Sequence, residues 1–147
     1  MKLASVALAA IIAAGPALAD IERQKASGSV ADAMERLEAA VEKAGATVFA
    51  KVDHGAGAEK AGLDLADSQL LIFGNPDLGT PVMQQDILAG LYLPLKVLVY
   101  GDGEGQTWVA YEEVEESFDD LDVDDDAEVI GKMEAAMEKF SKAASGN

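Results

Sequence analysis

The feature that most constrains this chain is one amphipathic stretch, residues 30–44. Val30, Ala33, Met34, Leu37, Val41 and Ala44 recur at helical spacing, while Glu35, Arg36, Glu38, Glu42 and Lys43 take the opposite face. Ser29 stands where an N-cap belongs, with Asp32 three residues on as in a capping box, and Gly45 supplies the residue after the C-cap. A helix with one apolar stripe must lay that stripe on a partner surface. Near the C-terminus Val129, Ile130, Met133, Met137 and Phe140 form a second stripe, with Asp126 as its candidate cap and a tail from Ser141 onward expected to fray.

The partner surface reads as a sheet. Residues 21–25 and 47–53 have strand character, the latter with Val48, Ala50 and Val52 on one face. Leu70, Leu71, Ile72 and Phe73 are continuously apolar, which predicts a strand covered on both faces. Residues 95–100 and 106–111 are two strands joined by a Gly101–Gly105 hairpin loop. That loop is not a dinucleotide fingerprint, which must lie between a strand and a helix. Residues 54–62 are a loop or one helical turn, and residues 74–77 a turn. Thr80 followed by Pro81 reads as a cap and first helical residue opening a short helix to about Ile87. The order β-α-β-β-β-β-α predicts an α+β fold: an antiparallel sheet of four to five strands with two helices packed on one face.

Ahead of this domain, Lys2, the uncharged run 3–14, the Gly15-Pro16 break and Ala17-Leu18-Ala19 form the pattern of a secretory signal cleaved after Ala19. The apolar run is shorter than the roughly 20 residues a bilayer requires. The expectation is a signal peptide at residues 1–19, a single domain at 20–147, a periplasmic or secreted product and no membrane anchor after cleavage. The chain has 11 Lys and Arg against 27 Asp and Glu, a formal net charge of −16. That balance argues against a nucleic-acid partner and against anionic lipid. The absence of cysteine removes disulfides, thiolate catalysis and zinc-finger or iron–sulfur chemistry. Eleven of the acids lie between residues 112 and 128, a segment with no Lys or Arg and room for one helical turn around residues 114–118. An EF-hand loop starting at Asp120 fails there, because Asp125 stands where Gly is needed and Gly131 where Glu is needed. A solvated acidic surface is the reading that remains.

The only histidine, His54, follows Asp53 at a strand end. It can be a metal ligand or general base, or an ordinary loop histidine with one hydrogen bond. Residues 75–81, Asn-Pro-Asp-Leu-Gly-Thr-Pro, make a rigid backbone whose amides at a helix start suit an anion or carboxylate, or else simply aim the helix. Met83 and Gln84 follow, as pocket lining or as core.

Residues 47–54 (TVFAKVDH), 70–76 (LLIFGNP), 79–84 (GTPVMQ), 93–99 (LPLKVLV) and 108–111 (WVAY) together closely resemble domain-of-unknown-function family 302. The resemblance implies an α+β fold similar to that of the TATA-binding protein, and no activity. It also raises His54, Asn75, Thr80, Met83 and Gln84 as a candidate ligand-binding cluster at one sheet edge. The family commonly continues with Asp-Pro after the tyrosine and later with Arg-His-Gly-Leu. Here Glu112, Glu113 and Val114 follow Tyr111, and no second histidine exists. The function expected is a non-enzymatic module for a small molecule or metal ion. A homodimeric interaction protein, or a hydrolase-like enzyme with His54 as base, are the alternatives, and the sequence leaves the identity of any cofactor or metal open.

Overall fold

The computed structural model describes residues 20–124 and 127–146. The expected signal segment 1–19 and the expected cap Asp126 therefore lie outside the described residues. Five strands form one antiparallel sheet: β1 (Ile21–Ala26), β2 (Thr47–Asp53), β3 (Ser68–Gly74), β4 (Leu95–Gly101) and β5 (Thr107–Glu112), in the spatial order β1-β5-β4-β3-β2. Helices α1 (Val30–Lys43) and α4 (Glu128–Ser145) pack on one face, as the two amphipathic stripes require. Two shorter helices, α2 (His54–Lys60) and α3 (Pro76–Gln85), are inserted after β2 and β3. The α+β expectation holds, with five strands; α3 answers to the expected short helix, and α2 forms where a loop or one helical turn is expected.

Local chemistry explains α1. The Ser29 hydroxyl accepts from the Asp32 amide at 3.1 Å while the Asp32 carboxylate accepts from the Ser29 amide at 2.9 Å. Val30, Ala33, Met34, Leu37 and Val41 are buried. They meet Leu71 and Phe73 of β3, Val97 and Val99 of β4, Val109 of β5 and the α4 stripe of Ile130, Met133, Met137 and Phe140. Phe73 and Phe140 meet edge to face at 5.4 Å. Each such large side chain contributes roughly 1.5–3 kcal/mol when taken out of water.

Three expectations are corrected. First, α3 begins at Pro76, not at Thr80-Pro81: Asn75 is the N-cap, its side chain accepting from the Asp77 amide at 2.9 Å, and Pro76 is the first helical residue. Pro81 is held inside the helix. Second, the tail from Ser141 does not fray. Ser141, Ala144 and Ser145 are buried, because the Arg36 guanidinium and the Ser27 amide satisfy the last carbonyls of α4. Third, β3 is not covered on both faces. Leu71 and Phe73 face the helices and are sealed, whereas Leu70 and Ile72 are half-buried on the face opposite. The last helix starts from Ala127 with no side-chain cap.

The acidic segment is anchored more firmly than a solvated surface would be. Val114, Phe118 and Val123 enter the core, with a 3₁₀ turn at Glu116–Phe118. The Asp124 amide donates to Gln85 at 2.8 Å, and the Asp122 amide to Asp86 at 3.2 Å, tying the segment to the end of α3.

Candidate functional site

A cleft of about 360 Å³ opens at the end of the sheet where β2 starts and β3 ends. Its floor comes from Gly74, Leu95 and Met133; α3 supplies one wall through Leu78, Gly79, Thr80 and Met83, and Phe49 with Leu93 and Pro94 supplies the other. A break in the β2–β3 register between Val48 and Ala50 frees Phe49 from the regular alternation. Phe49 is consequently 57% exposed, an aromatic ring at the rim instead of in the core. Glycine matters for the approach at Gly74, where a Cβ would lie a tight 3.3 Å from the Phe49 ring, whereas one at Gly79 would make ordinary contact with Leu93 at 3.6 Å.

Among the candidate residues, Asn75, Thr80 and Met83 line this cleft together. Gln84, next to Met83 on α3, is exposed and is not part of the lining. His54 does not join them. It begins α2, five residues along β2 from Phe49, which places it roughly 17 Å away at about 3.3 Å per strand residue. It is exposed there, with Asp53 capping its helix by accepting from the Ala56 amide at 2.8 Å and from Gln69 at 3.3 Å. The cluster that the resemblance raises is thus divided, because β2 runs its full length between Phe49 and His54.

The helix start holds no spare amide for an anion. The Asp77 amide donates to the Asn75 side chain, and the Leu78 and Gly79 amides donate to the Asn75 carbonyl at 3.0 and 2.9 Å. Pro76 has no amide hydrogen to offer. The only polar side chains on the lining are Asn75 and Thr80, and the rest is aliphatic, aromatic or thioether. Phe49, Leu93, Pro94 and Met133 are cleft residues that sequence reasoning missed. An aromatic residue breaking strand alternation was the available signal for Phe49, whereas Met133 belongs to a helix stripe that reads wholly as core.

A second concavity, between β1, β5 and α4, has the opposite character. Glu22, Glu113, Glu115, Glu134 and Glu138 surround Tyr111 there. Loss of solvent, then the charges of Glu22, Glu138, Glu113 and Glu134, push the Tyr111 hydroxyl above its usual value. Loss of solvent and the neighbouring Glu116 and Glu22 likewise raise Glu113. Among the described residues no group of three or more His, Cys, Asp or Glu side chains is placed to hold a metal ion.

A family model described as "Domain of unknown function DUF302" matches residues 22–140, nearly the whole described domain. The chain belongs to the DUF302 family. A crystal structure of an uncharacterized conserved DUF302 protein from Bacillus stearothermophilus superposes with a TM-score of 0.76 at 20% identity, covering 84% of this chain and 97% of that one. That likeness concerns the fold. Proteins named fluoride-specific ion channel FluC 1, from Brucella suis biovar 1 (strain 1330) and Brucella abortus biovar 1 (strain 9-941), are each 48% identical to this DUF302 chain over 81 residues. The match takes in 55% of this chain but only 32% and 30% of theirs, so the chain spans about a third of the length of those relatives. No helix among the described residues is long and apolar enough to cross a membrane.

Proposed function

We propose that this DUF302 domain is an exported, non-enzymatic binding module that takes a small molecule in the cleft between Phe49, α3 and Pro94. The observation that supports it is the convergence of three motif residues, Asn75, Thr80 and Met83, on one concave apolar site of a size suited to a small ligand. The enzyme alternative loses its geometric basis, since a base at His54 cannot reach a group at Thr80 from the far end of β2. A small-molecule screen read by amide chemical shifts tests the proposal. Binders are expected to move signals at residues 49, 74–83 and 93–95; a screen whose shifts gather around His54, or nowhere, would overturn it.

A second reading, a homodimer, is favoured by the sheet face that no described helix covers. The register aligns Arg23, Ala110, Leu98, Leu70 and Val52 in one row across all five strands, beside Lys25, Trp108, Tyr100 and Ser68. Light scattering after size exclusion tests it, and a strict monomer at millimolar concentration rules it out. The Brucella relatives suggest a setting for either reading. We read the shared 81 residues as a domain those longer proteins carry beside their channel, so fluoride is one ligand to include in the screen.

A further inference from the structure

Resting on the cleft reading above, we propose that the ligand is an uncharged molecule with a short to medium aliphatic chain and one neutral polar head, such as an alcohol, and not a carboxylate or phosphate. Three observations carry this. The lining holds no Lys, Arg or His, so an anionic head would be desolvated with no opposite charge to compensate it. The first-turn amides of α3, the other device by which proteins hold anions, are all consumed by Asn75. What remains for a head group is hydrogen bonding of the neutral kind: the Thr80 hydroxyl and the Asn75 amide group, whose oxygen is already occupied as a cap. The lining also includes Leu78, Met83, Leu93 and Met133. Thioethers and leucines form a surface without hydrogen-bonding demands, which suits methylene groups that adapt to it.

The chemistry sets a quantitative expectation. Each methylene buried in an apolar site strengthens binding about fourfold, the ratio that follows from roughly 0.8 kcal/mol per group. Calorimetric titration of the whole domain with butan-1-ol, hexan-1-ol and octan-1-ol, and with octanoate, reads this directly. Affinity is expected to climb by about that factor per methylene until the cleft is full, with octan-1-ol binding at least tenfold more tightly than octanoate at neutral pH. Thr80→Val is expected to weaken the alcohols about two- to tenfold, as for one neutral hydrogen bond, without changing the methylene increment.

Two variants separate failure of the class from failure of the site. Gly79→Leu projects from α3 toward Leu93 and is expected to abolish binding, whereas Gly79→Ala reaches only ordinary contact with Leu93 and keeps it. Melting temperatures of both confirm that the fold survives. If octanoate equals or exceeds octan-1-ol, or affinity ignores chain length, while Gly79→Leu still blocks binding, the cleft stands and the ligand class is overturned. If Gly79→Leu binds every probe as the native protein does, or nothing binds the native protein, the cleft reading falls and this inference falls with it.

Discussion

Arg36 sits on the polar face of α1, where a helix wheel assigns it to solvent, yet it closes the far end of the molecule. Its Nε and Nη2 donate to the Ala144 carbonyl at 3.0 and 2.8 Å, and Nη2 donates also to the Ser27 carbonyl at 2.6 Å. These are charge-assisted bonds, and the Ala144 carbonyl is one that the end of α4 otherwise leaves unmatched. Arg36→Ala is expected to cost about 1.5–3 kcal/mol in urea unfolding, with amide exchange accelerated first at residues 143–146. Arg36→Lys should recover only part of that loss, because an ammonium cannot span two carbonyls as the planar fork does. Asp102 acts similarly in the β4–β5 turn. It accepts from the Trp108 indole at 2.8 Å and from the Gln106 and Glu104 amides, both at 2.9 Å, and these bonds hold its carboxyl below the usual value of 3.8. A lowered folded-state value stabilises above 3.8, and that stabilisation is lost as pH falls through the lower folded value. Trp108 is the only tryptophan, so its emission reports the event. A red shift is expected in the native protein only as pH falls through that lower folded value, and already at neutral pH in Asp102→Ala.

At the level of elements, caps decide where helices begin. The segment 74–81 contains two pairs in which a capping residue precedes proline, Asn75-Pro76 and Thr80-Pro81. In sequence the later pair reads as the helix start and residues 74–77 as a turn. The earlier one wins because starting at Pro76 lets Val82 reach the core with no exposure, and gives the Asp77, Leu78 and Gly79 amides acceptors on Asn75. Asn75→Ala is therefore expected to cost about 1 kcal/mol, and Asn75→Ser much less, in thermal or urea unfolding. Equal losses in the two variants would contradict a capping role. The same reasoning explains what was legible. Helix α1, with its capping box, single stripe and terminal glycine, could be read from residues 29–45 alone, and so could an antiparallel sheet of four to five strands, though not which face of β3 is left open. The C-terminal turns of α4 could not, because their stability comes from Arg36 and Ser27, more than a hundred residues away in the chain. The cleft was half legible: Asn75, Thr80 and Met83 lie on α3 and its cap, but Phe49 joins them only through the pairing of β2 with β3, and Pro94 only through the tertiary fold.

On the scale of the whole molecule, charge is distributed by surface as well as by sequence. The acidic segment brings Glu113, Glu115 and Glu116 to one end of the sheet, where Glu22 from β1 and Glu134 and Glu138 from α4 meet them. A raised Glu113 favours the protonated form in the folded state, so its stabilising contribution is complete below the usual glutamate value of 4.5 and lost as pH rises through the folded value. Melting temperature is thus expected to rise as pH is lowered from 7 toward 4.5. It should then fall as pH drops from 3.8 through the lower folded values of Asp32 and Asp102, both held low by the hydrogen bonds they accept. Glu113→Gln should raise the melting temperature at pH 7 and lose that advantage near pH 4.5. The first described residue bears on the same cluster: the Asp20 amide donates to the Glu116 carboxylate, and the Asp20 carbonyl accepts from the Glu113 amide at 3.0 Å. A chain whose first residue is Asp20, as cleavage after Ala19 would leave it, places a terminal ammonium there instead of an amide. One positive charge then stands among Glu113, Glu116 and Glu22, and such an exposed pair is weakly stabilising. A protein liberated with Asp20 as its first residue is expected to melt higher at pH 6–7 than the same protein acetylated at that amine. An ammonium paired with carboxylates titrates above its unfolded value of about 8, so the advantage is full below that value and fades as pH rises past it. It should also shrink in molar salt, where screening acts over roughly 3 Å. Identical melting curves for the two forms at low salt and pH 6 would show that the amine gains nothing from the carboxylates around it.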